Sequence, residues 1–164
     1  MVKSFLEDGR WDELDFKILN ELQRNCRISN ADIARRVNLS PPAVHARIRR
    51  MEKAGLLARY VALLDREMAG FDMLCFVHIG LQLHQEEQVI NVRATFTSLP
   101  EVLECYHVTG EYDYLLKVVV RNRKDLQRFV ARLTPIPGLA RIHTSLVLED
   151  VKVETELPLN LPSH

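Results

Sequence analysis

The strongest constraint in this 164-residue chain is a set of helix start and stop signals packed into its first third. Asp12 is a good N-cap, with Asp15 three residues on to face the helix dipole. Leu14, Ile18, Leu19 and Leu22 then recur at helical spacing as one apolar stripe. Ser29 caps a second helix whose short inner face is Ile33, Ala34 and Val37. Asn38, one of the few non-glycine residues that tolerate a left-handed backbone, ends that helix, and Leu39 plugs the corner. Ser40 opens a third helix with Pro41 at its first position, where a missing N–H costs nothing. Val44, Ile48 and Met51 face inward, and Gly55 stops the helix. A supporting helix, then helix, tight turn and helix, is a helix-turn-helix arrangement.

What the third helix shows to solvent decides what such a unit can do. At about 100° per residue, Pro42, Ala46, Arg49, Arg50 and Lys53 project outward, with Ala43, His45 and Arg47 on the flanks. Small residues near the start allow close approach to base edges, and the arginines after them suit guanine or phosphate. The surface expected to meet DNA is therefore Ser40, Pro42, Ala43, His45, Ala46, Arg47, Arg49, Arg50 and Lys53. Arg49, Arg50 and Lys53 are its leading contacts, and the duplex is double-stranded DNA. Charge placement agrees. Lys and Arg total 22, as do Asp and Glu, yet residues 1–60 hold 12 basic against 8 acidic side chains. A basic first third on an acidic remainder suggests an anionic partner for the first part.

After the third helix, Leu57–Leu64 has strand-like character and is expected to form a wing, with Arg66–Gly70 as a hinge. Met73–Leu83 alternates as a strand, and Gln85–Leu99 switches to helical period until Pro100 forbids continuation. Val102–Thr109 and Tyr114–Arg121 make an antiparallel hairpin around Gly110. Leu126, Phe129, Val130 and Leu133 mark a second helix ended by Pro135 and Pro137, and Ile142–Leu148 supplies a last strand. The fold class is α+β: an N-terminal winged helix-turn-helix, then a ferredoxin-like βαββαβ domain with both helices on one sheet face. The expected division is an arm at 1–10, the helix-turn-helix at 11–58, a linker strand and hinge at 59–70, an effector and oligomerisation domain at 71–156, and a tail at 157–164. Phe76, His78 and their neighbours leave the other sheet face only partly polar. Pairing two such sheets about a two-fold axis would cover it and supply two reading helices.

Other classes fit poorly. No apolar run approaches the roughly 18 residues of a membrane span, and the N-terminus leaves no room for a secretory apolar core. Cys26, Cys75 and Cys105 are too few and too scattered for a disulfide framework, so a reduced, cytoplasmic protein is expected. There is no Gly-rich phosphate loop, no His-Glu-x-x-His helix and no Ser/His/Asp grouping, so the chain is not expected to be an enzyme, and no cofactor is called for. Cys75 and His78 fall on opposite faces of a strand. Cys105 and His107 share a face, but two ligands make a poor metal site. His84, His143 and His164 read as ordinary surface or interface residues. The hairpin turn carries more chemistry. Backbone N–H groups near Gly110 can bind a carboxylate, and Asp113 can pair with an ammonium, which are the two ends of an α-amino acid. By spacing alone, a plain hairpin with Asp113 bonding the turn backbone is the preferred alternative.

The segments Asp12–Leu19, Asp32–Ser40, Val44–Gly55 with Arg47-Ile48, and Val108–Lys117 resemble the Lrp/AsnC (feast/famine) family of transcriptional regulators. Pro137-Gly138-Leu139 and Thr144 before a strand fit the same pattern, and the likeness spans roughly residues 11–154. Asn38 stands where the family usually has glycine, and Met51 where it usually has leucine. The resemblance implies a sequence-specific DNA-binding regulator whose assembly or DNA affinity answers to a small amino-acid effector. It also implies homodimers, often four to a ring, with the effector bound between dimers near the hairpin turn. Carried over position by position, Thr109, Gly110, Asp113, Tyr114 and Thr144 become effector-binding candidates. The alternatives are an architectural DNA-binding protein without effector, and an amino-acid-binding allosteric partner of an enzyme.

Overall fold

A computed structural model describes residues 10–82 and 86–159. The expected N-terminal arm up to residue 9, the end of the first strand at Leu83, His84, and the tail beyond Leu159 lie outside the described residues. The chain packs as two compact units, Met1–Leu63 with Lys152–His164, and Leu64–Val151.

The first unit is three helices, α1 (Glu13–Arg24), α2 (Asn30–Val37) and α3 (Pro41–Lys53). Local chemistry fixes their ends. Asp12 and Asp15 form a reciprocal capping box, each carboxylate accepting the other's backbone N–H at 3.0 Å. Ser29 and Ser40 cap α2 and α3 through their hydroxyl oxygens. Asn38 ends α2 in the left-handed conformation, φ 57°, which sends the chain into the tight turn before α3. Ile18, Ile33, Val44 and Met51 are fully buried and meet at the centre of the bundle. Each such side chain contributes roughly 1.5–3 kcal/mol.

The strand expected over Leu57–Leu64 does not form. These residues join no ladder among the described residues, and Leu63 and Leu64 are exposed. A β-prone sequence becomes a strand only when a partner takes its backbone groups, and none of the described residues does so here. The closing segment instead docks on α1. The Gln23 side-chain amide donates to the Leu157 carbonyl at 3.1 Å and accepts its N–H at 2.7 Å. Asn20 donates to the Leu159 carbonyl, and the Leu159 side chain packs on the helical core.

The second unit runs β1 (Met73–Leu81), α4 (Glu86–Ser98), β2 (Val102–His107), β3 (Tyr114–Val120), α5 (Arg123–Leu133) and β4 (Leu139–Leu146). Its antiparallel sheet has the order β2-β3-β1-β4. Cys75, Val77 and Ile79 of β1, with Tyr114, Leu116 and Val118 of β3, point to one face. There they pack on Val92 and Phe96 of α4 and Phe129 and Leu133 of α5. Alternation places Phe76, His78, Leu115 and Lys117 on the other face. They are only half-buried.

Candidate DNA and effector sites

α3 is held from behind by charge as well as by packing. Arg47 donates to both Asp12 oxygens at 2.8 and 2.7 Å and to Asp15 Oδ1 at 2.8 Å. Arg50 donates to Asp15 Oδ2 at 2.6 Å, and its guanidinium lies 5.1 Å from the centre of the Trp11 ring. Asp15 is completely buried. A desolvated carboxylate is tolerable only when paired and fully hydrogen-bonded, and two guanidinium groups with the Asp12 N–H meet that condition. The hydrogen bonds Arg47 donates to Asp12, then to Asp15, hold its guanidinium in the charged form more firmly than usual and raise its pKa. Burial pushes the Asp12 carboxyl up. The Arg47 hydrogen bond, the Asp15 N–H and the Arg47 charge outweigh that and hold it below 3.8. The stabilisation from Asp12 is therefore complete above pH 3.8 and is lost as pH falls through the lower folded value.

This geometry gives two of the expected DNA contacts a partner within the chain. Arg50, read as a leading DNA contact, gives its guanidinium to Asp15, and Arg47 is bound in the same cluster. The helical period placed both correctly on α3 but could not show that α1 offers carboxylates opposite them. The signal was available: Asp12 and Asp15 are spaced by three, as are Arg47 and Arg50. The remaining face is open. Pro42, His45, Ala46, Arg49 and Lys53 are exposed, and Ala43 is half-buried. Ser40 uses its hydroxyl on the Ala43 N–H at 3.3 Å. His45 Nδ1 lies 3.3 Å from the Asn30 amide nitrogen. Among the described residues, Arg49 is held by an i, i+3 contact to Glu52 at 3.3 Å, with its side chain 70% exposed.

In the second unit the hairpin end is built around Asp113. Its N–H donates to the Ile79 carbonyl at 2.8 Å, its carbonyl accepts the Val108 N–H at 2.9 Å, and Oδ2 accepts the Leu81 N–H at 2.7 Å. That last bond falls where the β1–β4 register shifts, between Gly80 and Leu81. The carboxylate thus ties the hairpin to β1. Arg141 of β4 clasps the tip, donating to the Glu111 side chain and to the Glu111 carbonyl, both at 3.0 Å. Gly110, at φ 121°, has open space where a side chain would stand, and Thr109 beside it is exposed. The other two expected effector residues sit differently. Tyr114 is 2% exposed, its ring in the core and its hydroxyl accepting from Arg93 Nε at 2.8 Å. Thr144 pairs with Val77 at mid-strand on β4, two strand spacings, or about 10 Å, from β3 within one chain. Arg93 and Arg141 were not anticipated, because each reaches its partner across the fold from another element.

A capped helix-turn-helix with an open cationic helix face, joined to a βαββαβ unit with a hairpin-end polar cluster, defines a DNA-binding regulator with a ligand-binding domain. Residues 12–58 match the winged helix-turn-helix DNA-binding model, and residues 74–157 match the Lrp/AsnC ligand binding domain. The chain belongs to the Lrp/AsnC family of transcriptional regulators. It is 38% identical over 149 residues to the DNA-binding transcriptional activator DecR of Escherichia coli, covering 90% of this chain and 98% of the relative. It is 38% identical over 142 residues to the leucine-responsive regulatory protein of Haemophilus influenzae, covering 86% of each. Among solved structures, a transcriptional regulator from Neisseria meningitidis in complex with L-Met superposes with a TM-score of 0.88 at 34% identity, covering 92% of this chain and 97% of that one. No helix among the described residues is long and apolar enough to cross a membrane.

Proposed function

We propose that the protein is a cytoplasmic, non-catalytic, sequence-specific regulator that reads double-stranded DNA through the exposed face of α3 and answers to a small amino acid bound at the hairpin end. The observation that carries this reading is the division of labour on α3. Arg47 and Arg50 lock the helix to α1, which leaves Arg49 and Lys53 beside the sterically bare Pro42, Ala43 and Ala46. Phosphate contacts fix register, and base edges meet the small residues. The test is a mobility-shift titration on the DNA upstream of the protein's own gene at two salt concentrations, repeated with each of the twenty amino acids. Failure to bind any duplex more tightly than random DNA would overturn it.

Effector binding rests on the open Gly110 backbone beside the Asp113 carboxylate, with Thr109 at hand. Tyr114 and Thr144 shape the site from the core and from β4. An amino acid there acts only through different affinities for two states of the assembly. Asp113→Asn keeps an acceptor for the Leu81 N–H but removes the charge. It is expected to weaken amino-acid binding by about tenfold or more, with DNA affinity in the absence of effector unchanged. Calorimetry showing full amino-acid affinity in this variant rules out the role.

The half-exposed outer sheet face, with Phe76, Leu115 and the 50% exposed Tyr106, fits a two-fold partner. Such a homodimer offers two α3 helices to successive major grooves and is the unit of an octamer of four dimers. Leu115→Glu buries a charge in that interface, so sedimentation should show monomer where the unaltered chain is dimeric or larger.

A further inference from the structure

The start of α3 carries few groups that can tell one base from another. In this architecture base contacts come from the N-terminal part of the second helix of the motif, and there α3 reads Pro41, Pro42, Ala43, Val44, His45 and Ala46. Ser40 is occupied as the cap, and Arg47 by Asp12 and Asp15. His45 is therefore the one side chain of that stretch with hydrogen-bonding atoms at an exposed position. It shares a helix face with Pro42 and Arg49, at i−3 and i+4.

The ring is held in one form. Asn30, the first residue of α2, sets its amide nitrogen 3.3 Å from His45 Nδ1. An amide nitrogen only donates, so Nδ1 accepts and the ring proton stays on Nε2. The positive first turn of α2 favours this orientation, because it draws the Asn30 oxygen towards itself. The charged groups that line the same cleft are engaged with each other. Glu52 takes Arg49 at 3.3 Å and accepts the Tyr60 hydroxyl at 3.1 Å. His45 Nε2 has no hydrogen-bond partner among the described residues.

We propose that Asn30 is a positioning residue for base reading: it holds His45 as a donor at Nε2, and that N–H reads a guanine in the major groove of each half-site. Guanine alone presents two acceptors there, N7 and O6 side by side. Cytosine presents an amino donor, which a ring held in this form meets donor to donor. The prolines and alanines beside His45 allow close approach and offer no competing polar group. This role rests on α3 being the reading helix, and the experiment separates the two.

The full chain is used to select duplexes from a random-sequence pool at about pH 8.5, above the range in which imidazoles ordinarily titrate. The selection is repeated with His45→Ala, Asn30→Ala and Asn30→Asp. The unaltered chain should require one guanine per half-site, and replacing it by 7-deazaguanine, which lacks only N7, should weaken binding about three- to tenfold. In His45→Ala and Asn30→Ala that position should lose its preference while the others keep theirs. Asn30→Asp gives the sharper contrast. Its carboxylate accepts the Nδ1–H, Nε2 becomes an acceptor, and the preference should move to a base with an amino group, cytosine or adenine. A merely structural Asn30 would not switch the base. Aspartate is favoured in the first turn of a helix, so this variant should fold. Nitrogen NMR of isotopically labelled imidazole reads the same change, with the proton on Nε2 in the unaltered chain and on Nδ1 in Asn30→Asp. The proposal is overturned if the unaltered ring carries its proton on Nδ1, or if the deaza base changes nothing. It is equally overturned if His45→Ala weakens all duplexes alike, the mark of a phosphate contact. In each of these cases, lost affinity in the Arg49→Ala, Lys53→Ala double variant keeps α3 as the reading helix, and full affinity in it removes that reading too.

Discussion

Asp15→Ala is expected to destabilise the helix-turn-helix unit by about 3–5 kcal/mol, the range for removing one partner from a buried ion pair. The carboxylate is wholly buried and accepts from the Asp12 N–H, Arg47 and Arg50. Its loss strands the partly buried Arg47 against one exposed aspartate and removes half the α1 capping box. With domain stability of only about 5–15 kcal/mol, that is enough to unfold much of the unit near physiological temperature and abolish DNA binding with it. Urea denaturation followed through Trp11 measures it, since that residue lies beside Arg50. Arg50→Ala should cost far less, about 1 kcal/mol or below, because its side chain is half-exposed and water replaces its partner. A second outcome separates charge from shape. The triple change Asp15→Leu, Arg47→Met and Arg50→Met leaves no orphaned charge and should recover most of the lost stability. If Asp15→Ala unfolds at the same urea concentration as the unaltered chain, the cluster does not hold α3 in place.

The features legible in the sequence were those decided within a few residues. Ser29, Asn38 and Ser40 set helix ends by bonds to their own neighbours, so their identities and positions were enough. The strands of the second unit were equally readable, since Cys75, Val77 and Ile79 alternate with Phe76, His78 and Gly80 along one short segment. What could not be read was decided by a partner elsewhere in the chain. Leu57–Leu64 has strand chemistry and pairs with no strand among the described residues. Arg50 projects from α3, but only the position of α1 reveals a buried carboxylate within its reach. Tyr114 stands next to Asp113 in a polar turn, yet the strand pleat turns its ring into the core while leaving Thr109 and Gly110 outside. The docking of Leu157 on Gln23 joins residues 134 apart in sequence and leaves no periodic trace. Candidate site residues are harder to assign from sequence than core residues for this reason. A polar side chain has several uses, and the fold chooses among them.

The same choice predicts how the arginines divide on DNA. Arg49→Ala with Lys53→Ala should lower affinity for the operator roughly tenfold at low salt. It should flatten the dependence of log K on log salt by up to about 1.8, two counterions at about 0.9 each. The two affinities should then converge as salt rises, because the lost term is electrostatic. Specificity among operators should change little, since phosphate contacts carry no sequence information. Arg50→Ala serves as the internal contrast. If its guanidinium stays with Asp15 in the complex, the slope remains that of the unaltered protein, and any loss of affinity tracks the loss of helix positioning. If the slope falls by about 0.9, Arg50 exchanges Asp15 for phosphate on binding, and DNA then competes directly with the fold for that side chain. An unchanged slope in the Arg49/Lys53 double variant would place the duplex on some other surface.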